Sequence, residues 1–189
     1  MKQILNEWRK FLNEAQDSSA TVHLFEVEDS PKLVYVYPGW PADSQHKIVN
    51  DYINAGLLSK HNLIIVVAKS FNTPWISLKQ AGADALDGKT PSSTKIVGHS
   101  RGAEGLASAM SSASFDEIIY ADPSAGFLIG KEHSNAIMYY DPSNWTGRWA
   151  HLGEKQNILA TEMGGAAKSN GFGVSHEGIL KMSIQELVL

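Results

Sequence analysis

Thr94-Lys95-Ile96-Val97-Gly98-His99-Ser100-Arg101-Gly102-Ala103 is the stretch on which the fold turns. Thr94–Val97 reads as a short buried strand. Ala103 to about Ser112 reads as a helix of small residues. Between them stands Gly-x-Ser-x-Gly, with Gly98 and Gly102 two places either side of Ser100. A strand that turns into a helix this abruptly forces the middle residue into strained backbone angles, and the flanking glycines let the two elements pass closely. The side chain of Ser100 then stands clear above the strand end. The helix N-terminus lies behind it, and its free N–H groups and dipole favour negative charge there. The Walker pattern with its Lys-Ser/Thr pair is absent, so the turn does not read as a phosphate loop.

Working outward, strands and helices alternate. Thr21–Glu28 alternates apolar and polar residues, and Lys32–Tyr37 is a second strand that ends at Pro38-Gly39-Trp40. Asn62–Ala68 is a continuous apolar run, as expected of a strand covered on both faces. Glu117–Ala121, Asn135–Tyr140 and Asn157–Glu162 read as further strands, the last being the final one. Helices are expected from Asp43 or Ser44 to about Ala55, from Thr73-Pro74 to about Leu86, and after His176. Gly164 to Gly173 reads as a loop. This alternation predicts an α/β domain, a mostly parallel sheet flanked by helices. Before it, Ile4, Leu5, Trp8, Phe11 and Leu12 form one apolar stripe. Residues 1–20 are therefore expected to be an amphipathic helix and linker, and 21–189 a single domain.

The 189 residues suit one domain with a real core. A net charge of −4 argues against a dedicated nucleic-acid binder. The absence of cysteine removes a thiol nucleophile, disulfides and Cys-zinc sites together. No His-Glu-x-x-His, clustered ligand spacing or dinucleotide fingerprint is present, so neither metal nor cofactor is implied. The first ten residues lack an apolar core of the secretory kind, and no run approaches the ~20 residues of a membrane span. A cytoplasmic location is expected; the oligomeric state is not legible.

Ser100 and its surroundings resemble the α/β-hydrolase superfamily, and most of all its small lid-less bacterial lipases and cutinases. The resemblance covers roughly residues 32–189, with Gly98–Gly102 its most specific part. It implies a Ser-acid-His order, a nucleophile elbow at Ser100, and one oxyanion N–H from Arg101. The second would come from Trp40, because Pro38-Gly39-Trp40 stands where the family has His-Gly-x. His176 in Ser175-His176-Glu177-Gly178-Ile179-Leu180 matches the family's histidine, whereas His151 precedes the last expected strand and His99 points elsewhere as a structural neighbour. Two segments compete for the acid. Ala121-Asp122-Pro123-Ser124 and Tyr140-Asp141-Pro142-Ser143 both end a strand in Asp-Pro-Ser. The family's usual strand selects Asp141, with Asp122 as the alternative. His176 is then expected within hydrogen-bond reach of the Ser100 hydroxyl, its other nitrogen turned to Asp141.

The implied chemistry is acyl transfer from a small or polymer-borne ester through an acyl-enzyme. The same triad would serve a thioester, an amide or a peptide. Trp40, Trp75 and Trp145 follow expected strand ends, and Phe127 joins them as a candidate substrate-binding rim or as core packing. A reading of another class remains beside this: a non-catalytic binding or phage virion component on the same fold. Leu12-Asn13-Glu14 before Ala15 resembles the Leu-x-Glu site at which prohead proteases of tailed phages trim packaged proteins, so the N-terminal stripe reads either as a packed helix or as such a leader.

Overall fold

The computed structural model describes residues 11–13, 20–25, 30–37, 39, 47, 62–68, 86, 88–110, 113–169 and 173–188. Its centre is one sheet of eight strands: β1 Phe11–Asn13, β2 Ala20–Phe25, β3 Lys32–Tyr37, β4 Asn62–Ala68, β5 Ser93–His99, β6 Glu117–Ala121, β7 Ala136–Tyr140 and β8 Ala167–Ser169. Their order across the sheet is β1-β2-β4-β3-β5-β6-β7-β8. The run from β4 to β8 is parallel, and β1 and β2 add an antiparallel margin. The described helices are α1 Gly102–Met110, α2 Ala150–Met163 and α3 His176–Val188. Among the described residues no helix is long and apolar enough to cross a membrane.

Period-two alternation of the strands builds two cores. Leu33, Tyr35 and Tyr37 of β3, Ile96 of β5, Ile118 and Tyr120 of β6, and Met138 of β7 share one face with Ala103, Leu106 and Ala109 of α1 and Leu159 of α2. Val34, Val36, Val97, Ile119, Ala121 and Tyr139 point the other way and meet Ile179, Leu180 and Ile184 of α3. Every strand in this part of the sheet is therefore apolar on both sides, which suits a parallel sheet sandwiched between helices. The chain leaves β3 for β4 on one side and returns to β5 on the other. The carboxyl ends of β3 and β5 thus flank a topological switch point, where open α/β sheets hold their ligands.

Two expectations are corrected. Asn157–Glu162 is not the last strand but part of α2, and the last strand is β8, inside the segment expected to be a loop. The buried residues of α2 are Gly153, Gln156 and Leu159, one per turn. Two of the three are not apolar, so the stripe that docks this helix is invisible to hydropathy. Gly153 is there because α2 lies directly on the turn after β7: a Cβ at this position would sit 2.8 Å from the carbonyl oxygen of Pro142. The second correction concerns the N-terminal stripe. Its described part, Phe11–Asn13, is strand, paired with Val22 to Leu24 of β2, because an open sheet edge satisfies backbone groups that a short exposed helix leaves to water. Residues 1–10 lie outside the described residues, as do the segments expected to be helical near 43–55 and 73–86, apart from Lys47 and Leu86. The connection from Asp122 to Asn135 consists of turns, without a helix.

Candidate active site

Ser100 follows β5 with φ 53°, in the left-handed region that a residue with a Cβ seldom occupies. The conformation is held from both sides: its N–H donates to the carbonyl of Ala121 at 3.0 Å, and its own carbonyl accepts from Ser124 N–H at 3.1 Å. Strain that the surroundings enforce in this way concentrates at functional positions. Gly98 makes the sharp turn possible, since a Cβ on it would lie 2.8 Å from Cα of Ala103. Gly39, after β3, is pressed against the serine itself. A Cβ there would stand 2.5 Å from Ser100 Cβ and 3.1 Å from Oγ. Gly39, which the sequence sets between Pro38 and Trp40, therefore lies directly against the hydroxyl. Trp40 and Trp75 lie outside the described residues.

His176 opens α3. Its Nδ1 lies 2.6 Å from Oδ2 of Asp122, not beside Asp141. This corrects the expected partner. Asp122 leaves β6 with φ 44°, fully buried, and receives three further hydrogen bonds: from Asp141 N–H (3.1 Å) and Gln156 Nε2 (2.8 Å) to Oδ1, and from Asn144 Nδ2 (2.9 Å) to Oδ2. Burial alone would raise the Asp122 carboxyl, but the hydrogen bond and charge of His176, with the donors Gln156 and Asp141, outweigh it and hold the acid below its ordinary value of 3.8. Asp141 serves its own turn. Its Oδ1 accepts from Ser143 N–H at 2.9 Å and Ser143 Oγ at 2.6 Å, capping the 3₁₀ turn Pro142–Asn144. That use of an Asp-Pro turn occupies Oδ1 locally, while Oδ2 is buried with no partner among the described residues.

With Nδ1 turned to Asp122, Nε2 is the nitrogen of His176 left for proton transfer. Among the described residues no hydrogen bond joins it to Ser100 Oγ, so the expected direct contact is not formed here; such contacts often tighten only around substrate. His176 is nonetheless next to the elbow, its ring centroid 4.3 Å from that of His99, the residue before Ser100. Trp145 packs edge-on to the same imidazole at 4.9 Å. Phe127, beyond the strained Ala125 (φ 54°), is 61% exposed, and Trp149, which sequence reasoning did not single out, is 50% exposed. His151 is exposed in α2, with Nδ1 3.2 Å from the carbonyl of Arg148. Asn144 and Gln156 were likewise not expected. They sit 22 and 34 residues from Asp122, and nothing local in the sequence marks them.

No family profile and no curated protein matches the chain. Solved structures do. The siderophore hydrolase EstB of Aspergillus nidulans superposes with a TM-score of 0.62 at 12% identity, over 100% of this chain and 96% of that one. LpqC, a poly(3-hydroxybutyrate) depolymerase of Bordetella parapertussis, gives 0.59 at 12% identity, covering 94% and 86%. Carboxyl esterase 2 of the fungus Tuber melanosporum gives 0.54 at 11%, covering 89% and 80%. The sheet order, the turn at Ser100 and these likenesses lead to one structural conclusion: the chain has the α/β-hydrolase fold.

Proposed function

We propose that this protein is a serine hydrolase that cleaves carboxylic esters through an acyl-enzyme, with Ser100 as nucleophile, His176 as base and Asp122 as acid. The observation that carries the reading is the 2.6 Å contact between His176 Nδ1 and the buried Asp122, beside a serine held at φ 53°. The roles follow from the chemistry. Ser100 Oγ attacks the acyl carbon while His176 Nε2 accepts its proton, and the imidazolium so formed is stabilised by the carboxylate of Asp122. The oxyanion is met by backbone N–H groups, that of Arg101 ahead of α1 and that of Trp40 in the loop that crosses Ser100 at Gly39. His176 returns the proton to the leaving alcohol, then activates water to release the acid. Trp145 against His176, with Phe127 and Trp149 exposed after β6 and β7, favours an apolar or bulky substrate. The named activities of the structural relatives, esterase and depolymerase, agree with an ester of this kind.

The test is covalent labelling. A fluorophosphonate probe is expected to modify wild-type protein at Ser100, read by mass spectrometry, and to leave Ser100→Ala unmodified. p-Nitrophenyl esters of increasing acyl length then report the substrate class. Folded wild-type protein that carries no adduct on Ser100 would sink the hydrolase reading and favour a binding or virion role.

A further inference from the structure

His99 occupies the last position of β5, immediately before Ser100, and is fully buried. It stands two places after Val97, which lies on the apolar face of the sheet that α3 covers. An imidazole in such surroundings is out of place unless it is used. One of its nitrogens is used: Nε2 lies 2.9 Å from the backbone carbonyl of His176. A carbonyl only accepts, so Nε2 carries the proton and donates. Nδ1 is then an acceptor, and among the described residues it has no partner. Burial first, and the neighbouring His176 second, hold His99 down to about 3, so the ring is the neutral donor throughout the working range of pH.

We propose that His99 is a positioning residue that sets the height and angle of the His176 imidazole by gripping that residue's carbonyl, an inference that rests on the hydrolase reading above for its consequence in turnover. His176 is the first residue of α3, one turn before the apolar residues Ile179 and Leu180 that seat the helix on the sheet. Ser175 caps the helix, accepting from Gly178 N–H through Oγ at 3.1 Å and from Ile179 N–H through its carbonyl at 3.0 Å. Those bonds fix the helix to itself, not to the sheet. Among the described residues, three hydrogen bonds tie the start of α3 and the residues before it to the sheet edge: Asn144 Nδ2 to the carbonyl of Val174 at 3.1 Å, the side chain of His176 to Asp122, and His99 to the carbonyl of His176. Of these hydrogen bonds only the last comes from β5, the strand that leads into Ser100. It therefore couples base and nucleophile through a single residue, and the 4.3 Å approach of the two rings limits rotation of the imidazole about its own bond.

The experiment compares His99→Phe, which keeps a ring and loses the donor, with His99→Gln, whose amide N–H reaches the place of Nε2, and His99→Asn, whose N–H falls short of it. The first readout is the second-order rate of fluorophosphonate labelling. The second is the low-field proton resonance of the His176 Nδ1–H bonded to Asp122, assigned by its loss in His176→Ala. His99→Phe is expected to slow labelling about ten- to a hundredfold, as a displacement on the order of 1 Å does, and to shift or broaden the resonance, while its melting temperature holds or rises. His99→Gln is expected to restore both readouts, and His99→Asn neither. Unchanged rate and resonance in His99→Phe overturn the proposal, and so does a Gln variant as impaired as Phe, which would make the ring and not the donor the active element. If His99→Phe does not fold, the Gln and Asn pair decides alone. Wild-type protein that resists the probe refutes the hydrolase reading only, and the resonance then judges His99 by itself.

Discussion

Replacing Gly39 by Ala puts one methyl group against the nucleophile, and its effect follows from the geometry. The new Cβ would lie 2.5 Å from Ser100 Cβ and 3.2 Å from the carbonyl oxygen of His99. Carbon atoms rest roughly 3.5–4.0 Å apart, so a gap of at least about 1 Å has to open. Ser100 does not yield, because its backbone is tied to Ala121 and Ser124 on either side. The chain at Gly39 must move instead, and with it the next residue, Trp40, whose N–H we propose as an oxyanion donor. Overpacking of this kind costs about 1–3 kcal/mol, which for a chain of this size lowers the melting temperature by about 2–12 °C. Loss of one oxyanion donor costs about 10²–10³ in kcat. The assay is p-nitrophenyl ester turnover beside a thermal melt, with Gly165→Ala as control. A Cβ at Gly165 meets nothing within 4 Å and its φ is not positive, so this variant is expected to keep turnover and stability. If Gly39→Ala turns over ester at the wild-type rate with an unchanged melt, the approach of Gly39 to Ser100 has no catalytic meaning and the oxyanion assignment falls with it.

Two further outcomes are expected. Asp122→Asn lowers ester turnover by about 10⁴, whereas Asp141→Ala loses about 1 kcal/mol of stability through its turn cap and keeps turnover within roughly tenfold; steady-state kinetics with the reverse ranking would return the acid to β7. Acid stability follows from His99, whose value falls from 6.5 unfolded to about 3 folded. The folded state binds fewer protons, so stability is complete above about pH 6.5 and declines as pH falls toward 3, by at most about 1.4 kcal/mol per pH unit. Asp122, depressed below 3.8, adds to the loss at the acid end of that range. Urea midpoints between pH 4 and 6 are expected to slope in wild type and to flatten in His99→Phe; parallel slopes would contradict this.

What the sequence made legible is what is encoded locally. The elbow is contiguous, so strand, turn and helix could be read from ten residues, and β3, β4 and β6 have the bounds their apolar runs suggested. The carboxylate partner of His176 was not legible for a matching reason. Asp122 and Asp141 have the same neighbours, and they are told apart only by donors that the fold brings from Asn144, Gln156 and His176. Asp141 is diverted by Ser143, two residues on, yet Ser124 stands equally close to Asp122 and turns its hydroxyl to Glu104 instead, at 3.3 Å. No spacing rule separates these outcomes. His99 was passed over because a residue beside the nucleophile looks like filler until α3 is known to cross above it. The helix α2 was missed because Ile158-Leu159 resembles a strand, and because Ile158 turns out to be exposed while Gln156 is buried.

Gly153 shows how far a dependence of this kind reaches. It holds no chemical group, it is 12 residues before the nearest glycine pair's second member, Gly165, and it touches no substrate; its whole contribution is to let α2 rest on the carbonyl of Pro142. One turn along the same helix, Gln156 reaches Asp122. A side chain at 153 is expected to lift the helix and draw Gln156 away from Asp122. A residue with no side chain thus stands one turn from the donor that holds Asp122, and a survey confined to reactive groups would overlook it.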